Sequence, residues 1–233
     1  MKRLLIALPL ITLFVVASSA DAPEVEITSE PSHHLAIENE SARAFRVEVA
    51  PHASTLMHRH RHDYLFVTIG DAHVSNEVAG KPAVELKLAD GETRFTPGNF
   101  AHVARNLSDA PFRNVTIEIL QDEKLRTAPS VWPTDTGEHD FEGGHMKILF
   151  VKDGVRASEI RLDPGATIPM HHHDHPHLVV PVSDVELRTE AEGKGATTAK
   201  FATGDVQWIP AGETHTVTNI GSKTARFVVV EFP

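Results

Sequence analysis

The sequence predicts an all-β protein made of one unit written twice, each unit a sandwich or barrel of short strands. Three observations carry this. Sliding the chain on itself by 113 residues, which lays His58 on His171, registers the two halves without a gap, and roughly a quarter of the aligned positions are identical. Within each half, short β-branched and aromatic runs alternate with Gly, Pro, Asp and Asn. Past the first twenty residues, no stretch longer than two helical turns has helical periodicity.

The elements follow in order. Met1-Lys2-Arg3, the apolar run Leu4 to Ala17 and the small residues Ser18-Ser19-Ala20 have the layout of a cleavable signal peptide at 1–20, too short to span a bilayer comfortably. Its absence of cysteine excludes lipid attachment, and the expected location is periplasmic or secreted. The first unit is read as 32–120. Phe45 to Val49, Leu65 to Ile69, Val84 to Leu88 and Val115 to Leu120 alternate in the manner of half-buried strands, with turns at Ala89-Asp90-Gly91 and Pro97-Gly98-Asn99. A linker rich in Asp, Glu, Pro, Thr and Gly is read at 121–144, and the second unit at 145–233. The match between units extends to Arg43-Ala44 on Arg156-Ala157, Gly80-Lys81 on Gly193-Lys194, and Val115 to Ile119 on Val228 to Phe232.

Composition removes several functions. With 32 acidic and 22 basic side chains the net charge is −10, and losing Lys2 and Arg3 takes it to about −12, so there is no basic stripe for nucleic acid. There is no cysteine, hence no disulfide, thiolate nucleophile, Cys-bound zinc or iron–sulfur cluster. No membrane association is expected once the leader is removed. The 16 histidines are the anomaly, and half of them sit in two tight clusters, 58–62 and 171–177.

In the second unit, His171 and His173 are two apart on a strand and face one side. His177 opens the next strand after a turn, and His215 follows Pro210-Ala211-Gly212 from a partner strand. Four imidazoles converging in a barrel interior imply a divalent metal, because separately buried histidines would each need a hydrogen-bond partner. The first unit repeats the pattern with His58, His60 and His102. His62, His172, His175, Arg59 and Arg61 are expected on solvated faces, and His33, His34, His139 and His145 are expected to carry no chemistry.

Gly204-x5-Pro210-x-Gly212-x2-His215-x3-Asn219 resembles the second motif of the cupin superfamily at every defining position. Gly165-x5-His171-x-His173-x3-His177 resembles the first, with His177 where the glutamate ligand usually stands. The first unit is similar through His58-x-His60 and through Gly91, Pro97, His102 and Asn106. The resemblance implies a bicupin: two tandem jelly-roll barrels, each with an internal metal pocket. The first unit departs from the motifs at His52 for the leading glycine, Tyr64 for the glutamate and Asn99 for the last glycine. Tyr64 is a candidate general acid/base or weak ligand, with a hydrogen-bonded barrel tyrosine as the alternative. His177 is a candidate fourth ligand, or a residue facing the substrate.

For function, the resemblance implies an iron site first, with manganese, nickel, zinc or copper as alternatives. It implies a dioxygenase-like oxidoreductase acting on a small anionic or enolic molecule; a non-catalytic metal- or anion-binding protein is the alternative class. No carboxylate stands out as a base near the pocket. Metal affinity is expected to fall as pH drops from about 6.5 toward 5, where free imidazoles charge. A monomer or a homodimer fits, since two units in one chain can supply the pairing that single cupins achieve between chains.

Overall fold

The computed structural model describes residues 23–121, Trp132 and 137–233; the leader at 1–20 lies outside this range. The described residues contain twenty strands, one short 3-10 turn at Ile27–Ser29 and no α-helix. The first repeat runs through β1 (Val25–Glu26), β2 (His33–Glu38), β3 (Ala42–Val49), β4 (His58–His60), β5 (Tyr64–Ile69), β6 (Ala72–Val78), β7 (Val84–Leu88), β8 (Thr93–Thr96), β9 (Phe100–Asn106) and β10 (Phe112–Ile119). The second runs through β11 (Glu138–Phe141), β12 (Gly144–Lys152), β13 (Val155–Leu162), β14 (Thr167–His173), β15 (His177–Pro181), β16 (Val185–Ala191), β17 (Ala196–Phe201), β18 (Gln207–Ile209), β19 (Glu213–Asn219) and β20 (Ala225–Glu231). β1 lies before residue 32 and pairs in parallel with β4, while β11 lies inside 121–144 and pairs with β12.

Each repeat is a two-sheet jelly-roll barrel. In the first, the sheet β1-β4-β9-β6-β7 faces β2-β3-β10-β5-β8; in the second, β14-β19-β16-β17 faces β11-β12-β13-β20-β15-β18. Loop chemistry holds these sheets in register. Asn106 is buried, its amide donating to the carbonyls of Val49, Ala50 and Ala110 while its Oδ1 accepts from Ser108. Asn219 repeats the device on Leu162, Lys223 and Gly221. Asn106→Ala strands several buried carbonyls and is expected to cost about 1–3 kcal/mol, read as a lowered denaturant midpoint at unchanged slope.

The non-glycine motif positions keep the glycine backbone. His52 sits at φ 57 where Gly165 sits at φ 79, and Asn99 at φ 63 where Gly212 sits at φ 87. Asn tolerates this left-handed region better than most residues. The turn is therefore preserved, and the Asn99 and Gly212 N–H groups donate to His60 O at 2.7 Å and His173 O at 2.8 Å.

The strand alternation has a different cause from half-burial against solvent. In β10, Val115, Ile117 and Ile119 point away from their own barrel into an apolar cluster shared with Leu178, Val180, Val228, Val230 and Phe232 of the second. Thr116 and Glu118, of the opposite parity, face inward and are buried as well. The two barrels thus pair through their β3-β10-β5 and β13-β20-β15 sheet faces, which buries the central strands on both sides. Charges brace the edges: Arg226 reaches Asp90 across the interface at 2.6 Å, and Arg46 reaches Asp205 at 3.4 Å.

Candidate metal centres

Strand pairing builds both histidine clusters. His58 lies directly opposite His102 in the β4–β9 ladder, and His171 opposite His215 in β14–β19. Facing residues of an antiparallel pair bring their Cβ atoms to about 5 Å. His60 and His173 come two residues later on the same face. The ring centroids are 5.1, 4.5 and 5.1 Å apart for His58–His60, His58–His102 and His60–His102. For His171–His173, His171–His215 and His173–His215 they are 4.8, 4.6 and 5.2 Å. The same triangle is therefore built twice.

Hydrogen bonds on the far side of the rings aim the donors inward. His58 Nδ1–H donates to Leu56 O at 2.9 Å and His171 Nδ1–H to Pro169 O at 2.8 Å, leaving each Nε2 lone pair for the pocket. His102 Nδ1 is held by Asn76 Oδ1 at 2.6 Å and His215 Nδ1 by Glu213 Oε2 at 3.3 Å. His60 and His102 bring their Nε2 atoms to 3.2 Å, and His171 and His173 theirs to 3.0 Å. Nitrogens this close, with His58 Nε2 buried and lacking a hydrogen-bond partner, fit a shared cation. In the second repeat, donor atoms of His171, His173 and His215 all lie within 4.8 Å of one another.

Tyr64 and His177 occupy matching places but do not join the triangles. Tyr64 stacks on His60 at 4.0 Å and 17°, and His177 on His173 at 4.0 Å and 27°. Burial, with the Thr96 contact opposing it, pushes the Tyr64 hydroxyl up to about 12, so it stays protonated near neutrality. His177 is pushed down to about 4 by burial and by His173, so it stays neutral.

A carboxylate behind each second histidine was not anticipated from sequence. Glu118 Oε1 lies 3.9 Å from His60 Nδ1, and Glu231 Oε1 lies 3.8 Å from His173 Nδ1. Each is backed by an arginine, Arg43 at 3.2 Å and Arg156 at 2.5 Å. The two carboxylates differ. Burial raises Glu231, but His173 and Arg156 outweigh it and hold it at about 2. Burial wins at Glu118, which is raised, because Arg43 divides itself between Glu118 and Glu38. Strand parity in Val115 to Ile119 placed these glutamates opposite the apolar face, and that parity is the signal that could have found them.

Other histidines depart from expectation too. His33 is not inert: its side chain is 4% exposed, Nδ1 lies 2.6 Å from Glu30 Oε2, and its ring is 4.8 Å from that of His58. His62 and His175 are half-buried rather than exposed, and His175 packs edge-on against Trp132 at 4.6 Å. His172 and Arg61 are exposed; Arg59 is half-buried and paired with Glu24.

The pockets differ in size. The cavity over the second triangle is about 900 Å³ and mainly apolar, while the first is about 350 Å³. Phe45, Phe66 and Phe112 stand where the second repeat has Ser158, Val179 and Ala225, and Phe100 replaces Glu213. Bulk accounts for the contraction.

The same enclosure revises the expected pH dependence. Burial, with His33 next, pushes His58 down to about 4, and burial with neighbouring imidazoles takes His60 and His102 well below their ordinary range. Burial lowers His171 and His215 as well. An unfolded histidine titrates near 6.5, so between about pH 6.5 and 4 the unfolded chain binds protons that the folded sites refuse. Metal-free protein therefore loses stability as pH falls through that window, by roughly 3 kcal/mol each for His58 and His177. Metal at the first site should persist below the pH 6.5–5 range expected from free imidazole. Stepwise dialysis from pH 7 to 4.5, followed by elemental analysis, is expected to empty the more open second site first.

The residues 158–231 match the model of the cupin domain. No curated protein matches the chain by sequence. Among solved structures, the Lactobacillus farciminis oxalate decarboxylase formate complex is similar at TM-score 0.62 and 16% identity, over 86% of this chain and 83% of that one. The Bacillus subtilis oxalate decarboxylase, described with Mn(II) centres, is similar at TM-score 0.60 and 15% identity, over 86% and 75%. At such identities the likeness is one of fold. Residues 158–231 are thus similar to the cupin domain, and the chain as a whole shares the two-barrel fold of these structures.

Proposed function

We propose that the chain is an exported, metal-dependent cupin enzyme whose chemistry takes place in the second barrel, and that it is a dioxygenase-like oxidoreductase acting on a small anionic or enolic organic molecule. The observation that carries this reading is the opening of His171, His173 and His215 into a 900 Å³, mainly apolar cavity. That volume lies at the upper end of small-molecule sites, and it suits an apolar body carrying a chelating head better than a two-carbon dianion. Export rests on the leader pattern at 1–20.

His171, His173 and His215 would hold a divalent metal, iron being favoured and manganese, the metal of the B. subtilis neighbour, the first alternative. Bound there, it supplies Lewis acidity and one-electron chemistry toward substrate and oxygen. The chain's own groups do the rest. Glu231, kept anionic, places negative charge 3.8 Å behind His173 Nδ1, where it favours a cation held by that ring. His177, neutral and stacked on His173, walls the site against water. At the rim, Lys194 binds Glu213 at 3.0 Å and is placed to receive an anionic head. Glu213, lowered chiefly by that lysine, holds His215.

The test is oxygen uptake by iron- or manganese-loaded protein with a panel of enolic and carboxylate compounds, alongside CO2 release from oxalate. Oxygen consumption with an enolic compound supports the reading. CO2 release from oxalate without net oxygen use would replace it with a decarboxylase, and silence across the panel would favour the binding protein.

A further inference from the structure

We propose that the first barrel holds its metal with four imidazoles, His33 being the fourth ligand, so that this centre is closed while the second keeps an open position. The inference rests on reading the first triangle as a metal site, and adds a residue from outside both histidine motifs.

His33 opens β2, on the sheet facing the one that carries His58, His60 and His102. A ring nitrogen of His33 lies with donor atoms of His58 and His60 in a group whose members are all within 4.8 Å; His102 is not a member of that group and adjoins it through His60, Nε2 to Nε2 at 3.2 Å. Its side chain is almost fully enclosed, so it does not reach this position as a mobile surface group.

The backing of His33 is that of a ligand. Glu30 Oε2 accepts His33 Nδ1–H at 2.6 Å and Ser32 N–H at 2.8 Å, while Oε1 accepts Leu56 N–H at 3.1 Å. A carboxylate so anchored fixes one tautomer, frees the Nε2 lone pair and makes the ring a stronger donor. The same Leu56 residue accepts His58 Nδ1–H through its carbonyl. One short loop therefore orients both His33 and His58. His58 Nε2 is left buried and without a hydrogen-bond partner, which a cation shared with His33 would satisfy.

The second barrel lacks the whole unit. Met146 stands at the position of His33 and Gly143 at that of Glu30. Met146 lines the large cavity, whereas His33 lines the small one. In a zinc-type four-coordinate site, four nitrogen ligands leave no position to exchange, the pattern of structural sites, whereas three leave room for a substrate. Duplication followed by this divergence would give one chain a structural centre and a reactive one.

The experiment uses untagged chain carrying His171→Ala and His173→Ala, so that bound metal reports on the first barrel alone. Loaded with Cu(II), it is expected to hold one ion per chain with nitrogen hyperfine structure from four imidazoles. His33→Met, which installs the residue of the second barrel, should remove one nitrogen from that spectrum and weaken Cu(II) at least about tenfold in chelator competition. His33→Gln, which keeps a donor for Glu30, should do the same, and circular dichroism establishes that both variants fold. An unchanged spectrum and affinity in either folded variant would overturn the proposal and make His33 a core histidine satisfied by Glu30. A three-nitrogen spectrum before His33 is touched would overturn it equally. If the double variant binds no metal while the unmodified chain binds one, the first-barrel centre falls and the reading of the second stands. If the unmodified chain binds none, both fall.

Discussion

Replacing His171 and His173 together with alanine is expected to take the metal content from two ions per chain to one and turnover to the uncatalysed background. Both side chains line the large cavity, and their Nε2 atoms converge at 3.0 Å. Removing them leaves His215 as the sole member of that triangle, too few ligands to retain a divalent ion against buffer. The reciprocal variant, His58→Ala with His60→Ala, should also lose one ion yet retain turnover, because its cavity is smaller and walled by Tyr64 and Phe66. Its cost should appear as stability: a ligand present at 1,000 times its dissociation constant stabilises the folded state by about 4 kcal/mol. Elemental analysis, steady-state assay and thermal melts on the two variants separate these outcomes. Equal loss of turnover in both would mean that the barrels share one catalytic cycle.

Phe232→Ala is expected to destabilise both barrels at once by about 3–5 kcal/mol. Phe232 is fully buried, packs on Trp208 at 5.5 Å between ring centroids, and belongs to the apolar cluster that joins the two repeats. Its backbone N–H is bonded to Pro176 O at 2.9 Å, so neighbouring atoms cannot readily collapse into the hole. Since Leu65, Val67 and Ile117 of the first barrel share that cluster, calorimetry should show a single transition displaced as a whole. Two transitions, with only one displaced, would mean that the barrels unfold independently and that the shared core contributes little.

Much of the site was written in local spacing. Two residues on a strand share a face, so His58-x-His60 and His171-x-His173 had to point the same way. Each following turn and strand returned His102 and His215 to the facing ladder position. The duplication was legible because the units align without a gap. Even the departures at His52 and Asn99 kept their backbone, since the turn geometry is decided by chain path and not by the side chain.

What spacing could not convey is which groups meet across sheets. His33 belongs to no motif and precedes His58 by a long stretch of chain; only the closure of β2 over β4 brings the two rings to 4.8 Å. Spacing likewise could not convey that Tyr64 and His177 stack face-on against His60 and His173, each at 4.0 Å. Alternation in Val115 to Leu120 reads as a half-buried strand, but the partner barrel covers its apolar face and Glu118 and Glu231 are buried as well.

Strand parity and turn chemistry act over a few residues, so an all-β duplicated chain with two sets of paired histidines was legible in the residues alone. The folded chain alone reveals that the apolar strand faces join barrel to barrel, that the two cavities differ more than twofold in volume, and that burial lowers the imidazoles below their ordinary range. Those properties depend on long-range packing, which sets how much space, and how little water, is left around each side chain.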